Sequence, residues 1–230
     1  VVPYLHDLGI SHVYASPLTE ARTGSTHGYD VVDATRISTV LGGEAGLRRL
    51  LGVLRQHGMG LILDIVPNHM AASPQNRWWA DVLQNGQASN YVNFFDIEWA
   101  RHGGKILLPV LGDPLDHAIA NGDIELVHSG AGPVLRLYGN QDFPVSPGSE
   151  TSADLRDLLQ QQHYRLAWWR LGHDELNWRR FFSISELAGL RIEDEAVFDA
   201  VHELPLRLYR EELIDGLRID HVDGLSDPAA

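Results

Sequence analysis

The sequence contains no cysteine. Disulfide staples and thiolate metal sites are therefore excluded. Cationic side chains are scarce: 18 Lys and Arg stand against 31 Asp and Glu, a net charge of −13. A nucleic-acid binder needs clustered Lys and Arg to neutralise phosphates, so no nucleic-acid partner is expected. No apolar run reaches the roughly 18 residues of a membrane-crossing helix, so no membrane partner is expected. Walker A, Gly-x-Gly-x-x-Gly, His-Glu-x-x-His and Gly-x-Ser-x-Gly patterns are all missing. The 12 His residues are scattered rather than set at ligand spacing. No metal and no cofactor are expected. What remains is ordinary globular composition, 44 % apolar and 21 % charged over 230 residues. That argues against disorder and fibrous repeats. The length suits one domain of a larger enzyme. The first residue is Val, and residues 227–230 follow a motif without a closing element. The chain reads as an internal piece of a longer protein.

The hydrophobic pattern sets the scaffold. Residues 1–8 read as a helix stopped by Gly9, and 10–15 as a strand ending at Ser16-Pro17. A loop rich in Thr, Gly and Ser follows over 19–29. Leu47, Leu50, Leu51 and Leu54 predict an amphipathic helix over 44–57, with Gly58 as its stop. Residues 61–66 form a near-continuous apolar strand interrupted by Asp64, the pattern of a covered parallel sheet. Strand, loop, helix, strand implies parallel pairing through right-handed crossovers. The rhythm then breaks. Two β-like runs, 123–128 and 134–138, flank Ser129-Gly130-Ala131-Gly132-Pro133. A helix is expected next, with Leu155, Leu158, Leu159, Gln162, Leu166 and Trp169 on one face. Gly216-Leu217-Arg218-Ile219-Asp220-His221 returns to a strand with a polar end. The pattern predicts a β/α scaffold over 1–72 and 206–230, interrupted by an insertion over 73–205.

Three clusters can carry chemistry. Each falls at the C-terminal end of an expected parallel strand or in the loop after it, where α/β barrels place their sites. The first is Asp64-Ile65-Val66-Pro67-Asn68-His69. A carboxylate within an apolar strand is costly unless it is paired. Asp64 is therefore read as functional or as structurally bonded to backbone or arginine. His69 can bond a ligand hydroxyl through its ring nitrogens. The second cluster runs from Gly216 to Leu225. Alternation puts Arg218 and Asp220 on one strand face and Leu217 and Ile219 on the other. If the apolar pair meets outer helices, the charged pair points inward. Arginine beside a carboxylate favours the ionised form. A held, ionised carboxylate is what a nucleophile in glycosyl transfer requires. A structural ion pair is the competing reading. The third cluster is His27-Gly28-Tyr29-Asp30-Val31-Val32-Asp33. Tyr29 can stack on a sugar ring and Asp30 can bond its hydroxyls. Aromatic pairs recur at Trp78-Trp79, Phe94-Phe95, Trp168-Trp169 and Phe181-Phe182. Adjacent rings point in different directions, so at least one of each pair is expected in a core.

The first two clusters, in this order, resemble the first two sequence signatures of the α-amylase superfamily, glycoside hydrolase family 13. Four further segments are similar to the branch of that family that forms trehalose ends on maltodextrins. They are residues 24–33, Phe94-Phe95-Asp96-Ile97, residues 163–169 and Asn177-Trp178-Arg179-Arg180-Phe181-Phe182. The resemblance runs over essentially the whole chain.

It implies an α/β fold, a partial (β/α)8 TIM barrel with strands two to four at 10–15, 61–66 and 217–220. A long B domain would be inserted after strand three. The resemblance makes Asp220 the nucleophile and Arg218 its holder. His69 would bind hydroxyls of the −1 sugar, Tyr29 would stack on it, and Asp30 would be a nearby sugar contact. His221 and Asp223 would border the +1 side, and Asp64 and Asn68 would be architectural.

The activity implied is that of an isomerase, an intramolecular glucosyl transferase. It converts the reducing-end α-1,4 linkage of a maltodextrin to α,α-1,1 by a retaining double displacement. The partner is then a malto-oligosaccharide and the location cytoplasmic. The family's general acid, a Glu after strand five, and its third carboxylate, an Asp after strand seven, would lie beyond residue 230. Residues 1–230 alone would then be inactive. The transfer needs a +1 pocket closed to water. Trp168, Trp169, Trp178, Arg179, Arg180, Phe181 and Phe182 are expected in its wall. An α-1,4-glucan hydrolase or transglucosylase and a non-catalytic glucan binder are the alternatives.

Overall fold

A computed structural model describes the chain except Ala131, Ser226 and Ala230, and Ser129 by its backbone alone. Two compact units emerge: Val1–Ala71 with Leu190–Ala230, and Ala72–Gly189. The first unit opens with helix α1 (Val2–Asp7) and strand β1 (His12–Ala15). Strand β2 (Thr19–Ala21) lies inside the segment that reads as loop, and it pairs antiparallel with β3 (Val31–Ile37). Helix α2 (Gly43–Gln56) buries Leu47, Leu51 and Leu54 and leaves Leu50 outside the buried set. Strands β4 (Gly60–Ile65) and β5 (His69–Ala71) complete this stretch.

The second unit starts with α3 (Arg77–Asn85), whose first turn is capped by the Asn76 side chain accepting from the Trp78 and Trp79 N–H groups. Strand β6 (Ile106–Leu111) leads to the short helix α4 (Leu115–Ala120). An antiparallel meander follows: β7 (Ile124–Ser129), β8 (Gly132–Leu137) and β9 (Gln141–Pro144). The expected pair of β runs thus gains a third strand; Ala131, between those runs in the sequence, lies outside the described residues. Helix α5 (Leu155–Gln160) is short. The helical face expected as far as Trp169 does not form, because Tyr164–Trp168 becomes strand β10 and pairs parallel with β6. Apolar spacing alone does not separate a buried helix from a buried strand over such a run. Strands β11 (Arg180–Phe181) and β12 (Ile184–Gly189) are antiparallel.

Aromatic rings fill this unit's core. Trp79 is fully buried and meets Phe95 and Trp178 edge to face, with centroids 4.8 and 5.2 Å away. The Trp178 indole N–H donates to Leu107 O at 2.8 Å. Asn177 Oδ1 accepts from Leu107 N, and its amide donates to Glu98 O and Lys105 O. Trp178 is thus a core residue, which corrects its expected place in a substrate-facing wall. The core expectation holds for Trp78-Trp79 and for Phe95. It fails for Trp168-Trp169 and Phe181-Phe182: Trp169 and Phe182 are exposed, and their neighbours are only partly covered.

The chain then re-enters the first unit through α6 (Glu195–Arg210) and β13 (Gly216–Ile219). Strands β1, β4 and β13 form one parallel sheet with β4 in the middle. Leu61, Leu63 and Ile65 of β4 bury against Leu47, Leu51 and Leu54 of α2 and Leu204 and Leu208 of α6. Val13, Ala15 and Leu217 join that core. Because α6 buries Leu204 and Leu208 here, the second unit closes at Gly189 and not near residue 205. Period-two alternation leaves Tyr14, Ile62, Asp64 and Arg218 on the opposite sheet face.

A four-membered ion network ties α2 to the end of α6. Glu44 accepts from Arg48 and Arg207, with closest approaches of 2.6 and 2.7 Å, and Glu211 accepts from the same two arginines at 2.7 and 3.0 Å. Arg207 first, then Arg48, holds the Glu44 carboxyl at about 2, below its ordinary 4.5. The folded value is the lower one, so the network's contribution is complete above 4.5 and is lost as the pH falls toward 2. Glu44→Gln is expected to lower the thermal midpoint modestly at neutral pH, because these groups are partly solvated. Midpoints of the variant and its parent should converge as the pH drops through that window. A difference unchanged at pH 2.5 would refute this linkage.

Candidate active site

Asp64 is the hub of a polar cluster on the β1–β4–β13 sheet. Its side chain is fully buried. In register, Arg218 of β13 lies opposite Asp64 of β4. Arg218 Nη1 donates to both carboxylate oxygens of Asp64 at 3.0 Å and to Asp220 Oδ1 at 2.5 Å. Tyr29 Oη donates to Asp64 Oδ2 at 2.7 Å, and Tyr14 Oη donates to the same oxygen at 2.5 Å. Three donors thus compensate a carboxylate that burial would otherwise penalise.

The electrostatics follow from that geometry. The hydrogen bond to Asp64, and then burial, push the Tyr29 hydroxyl well above the usual phenol range. The same two causes raise Tyr14. Both phenols therefore stay protonated donors at neutral pH. Asp64 first, then Asp220, raises the already high value of Arg218, so its charge is fixed.

Asp220 extends the strand ladder, its N–H donating to Ile65 O at 2.9 Å. Arg218 reaches its Oδ1, and among the described residues no donor reaches Oδ2. A carboxylate held through one oxygen, with the other available, is equipped for attack on an electrophilic carbon.

The loop before β3 is shaped for Tyr29. Gly28 has φ of +84°, and a Cβ there would lie 2.6 Å from Pro17 O, so only glycine fits. The Tyr29 N–H donates to His27 Nδ1 at 3.0 Å, and the two rings stack with centroids 6.0 Å apart. Asp30 turns into this loop. Its Oδ1 accepts from Ser25 Oγ at 2.5 Å and lies 3.9 Å from His27 Nδ1. Asp30 thus braces the loop that carries Tyr29 and makes no hydrogen bond to the Asp64 cluster. His69 is buried at the start of β5. His221 has φ of +51° and sits 3.4 Å from Asp223. A Cβ on Gly224 would come within 2.2 Å of its ring, so that glycine makes room for the imidazole.

Of the residues singled out in the sequence, the structure joins Tyr29, Arg218 and Asp220 through Asp64. Tyr14 was missed. Its signal was present: in the strand over 10–15 it alternates with Val13 and Ala15, which face the helices, so its ring must face the other way. Among the described residues, no group of three or more His, Asp or Glu is arranged to hold a metal ion. Among the described residues no helix is long and apolar enough to cross a membrane.

The Alpha amylase, catalytic domain family model matches residues 1–229. The chain belongs to the alpha-amylase family. Its mixed α/β fold is that of the alpha-amylase catalytic domain. It is 50 % identical to a putative maltooligosyl trehalose synthase of Mycobacterium tuberculosis, an alignment that covers all of this chain and 29 % of that relative. A solved maltooligosyltrehalose synthase from Arthrobacter ramosus matches with a TM-score of 0.90 and 45 % identity over 99 % of this chain and 29 % of its own. An intracellular maltogenic amylase of Bacillus subtilis is 35 % identical over 59 % of this chain and 21 % of its own length. The chain thus spans less than a third of each of these alpha-amylase family relatives.

Proposed function

We propose that this chain is part of the catalytic barrel of an enzyme that isomerises the reducing end of a maltodextrin, as the name maltooligosyl trehalose synthase describes. The observation that carries the reading is Arg218 bridging buried Asp64 and Asp220 while Asp220 Oδ2 stays open. In this reading β1, β4 and β13 are barrel strands two, three and four, and Ala72–Gly189 is the inserted B domain. Asp220 is the nucleophile, and Arg218 orients it. Tyr29 supplies a stacking face for the −1 glucose. His69 bonds that sugar's hydroxyls, with Asp30 and His221 at the margins.

The reaction is a double displacement. Asp220 attacks C1 of the penultimate glucose, and the bond from C1 to the leaving oxygen breaks. A carboxylic acid from a later barrel strand protonates that oxygen. The freed glucose stays, turns, and attacks C1 through its own anomeric hydroxyl. Its proton returns to the same carboxylate, and Asp220 leaves. Two inversions give an α,α-1,1 linkage. Net hydrolysis is avoided only if water is kept from the glycosyl enzyme.

The test is product analysis with the full-length protein and maltopentaose. A non-reducing product of unchanged mass supports the isomerase. New reducing ends would instead assign a hydrolase of the same family. Binding without any turnover would assign a glucan-binding relative.

A further inference from the structure

We infer that Tyr14 is a positioning residue for Asp220, acting through Asp64 and Arg218; the inference rests on the transglucosylation reading above. The argument begins with a shared donor. One guanidinium nitrogen, Nη1 of Arg218, serves both oxygens of Asp64 at 3.0 Å and Oδ1 of Asp220 at 2.5 Å. Two carboxylates therefore share the two N–H bonds of one terminal nitrogen, and each pulls that nitrogen toward itself. Asp64 is the buried competitor, with a side chain wholly removed from water. A buried carboxylate left short of donors draws the nearest cation toward itself.

The two tyrosines settle that competition. Both hydroxyls donate to Asp64 Oδ2, Tyr29 at 2.7 Å and Tyr14 at 2.5 Å. With Oδ2 twice satisfied, Asp64 needs less of Arg218, and Nη1 makes its shortest contact with Asp220. Tyr14 comes from β1 and Asp220 follows β13, the two outer strands that flank β4. The hydroxyl of one outer strand thus sets the orientation of a carboxylate beyond the other, with β4 carrying the link. Tyr29 shares the bond to Asp64 but also has a sugar-facing part in the proposed reaction. Tyr14 separates the two effects, since its bond to Asp64 is the contact at issue.

The experiment is a double-mutant cycle in the full-length protein, with Tyr14→Phe, Asp64→Asn and the pair. Phenylalanine keeps the half-exposed ring and removes only the hydroxyl. Tyr14→Phe is expected to lower kcat about tenfold while KM stays within about twofold, the mark of an interaction used in the transition state rather than in binding. Its thermal midpoint should stay close to the parent's. Asp64→Asn should lower kcat by another route, because Arg218 loses the buried carboxylate that anchors it. Adding Tyr14→Phe to it should cost less than about twofold more, because a neutral amide no longer competes for the arginine. An unchanged kcat in Tyr14→Phe would overturn the inference, and so would independent, multiplying losses in the pair. Asp220→Asn is assayed beside them. If it turns over like the parent, the transglucosylation reading itself fails. If it is inert and Tyr14→Phe is fully active, only the role of Tyr14 falls.

Discussion

Asp220→Asn in the full-length protein is expected to cut maltodextrin turnover by about ten-thousandfold or more, the scale seen when a covalent nucleophile is removed. The carboxamide has nearly the same shape. Its oxygen can still accept from Arg218, and the backbone bond from residue 220 to Ile65 O is untouched. The fold should therefore survive with its thermal midpoint almost unmoved. What disappears is the negative charge and with it the proposed nucleophile. Binding of malto-oligosaccharide should persist, because the proposed sugar contacts of Tyr29 and His69 remain. Initial rates, a melting curve and a binding isotherm on one preparation separate these effects. A variant that keeps a tenth of the parent's rate would show that another group attacks the sugar.

Arg218→Met has the second largest expected effect, and it acts twice. The first loss is in the reaction. Arg218 is the donor that orients Asp220 Oδ1, so removing it should cost about a hundredfold to a thousandfold in kcat, as for a preorganised charged contact. The second loss is in the fold. Asp64 has a fully buried side chain and would keep only the two tyrosine hydroxyls. A buried charge stripped of its ionic partner destabilises more than the pair ever contributed. The midpoint should drop clearly at neutral pH. Asp64→Asn placed on top of Arg218→Met removes the stranded charge while leaving an oxygen for the tyrosines. The double variant should regain most of the midpoint and none of the rate. Rate and midpoint recovering together would show that Arg218 matters only for folding.

Much of this arrangement was legible beforehand, for identifiable reasons. Period-two alternation is local, so Leu217 could be assigned to the helix-covered face and Arg218 to the other without knowing the partner strands. The leucines of α2 repeat at helical spacing, and three of the four are buried as that spacing requires. A carboxylate inside the apolar strand announced that it needed compensation, since an unpaired charge there is too costly. Elsewhere local pattern misled. Tyr164–Trp168 continues a helical apolar spacing, yet it is strand β10, because β6 offers it a parallel ladder that no neighbouring residue could reveal. Trp178 was read as substrate wall, but its indole N–H and the side chain of neighbouring Asn177 bond the backbone of β6 inside their own unit.

By itself the sequence determined the strand, helix, strand order of β1, α2 and β4, the shared strand face of Arg218 and Asp220, and the two motifs that mark the alpha-amylase family. Each of these depends on residues a few positions apart. Only the tertiary structure decided that Arg218 stands opposite Asp64, 154 positions away, and that Tyr14 and Tyr29 close on the same oxygen. Those contacts depend on the register of parallel strands joined by long crossovers. Register is fixed by side chains packing across the sheet, which no stretch of the chain contains on its own.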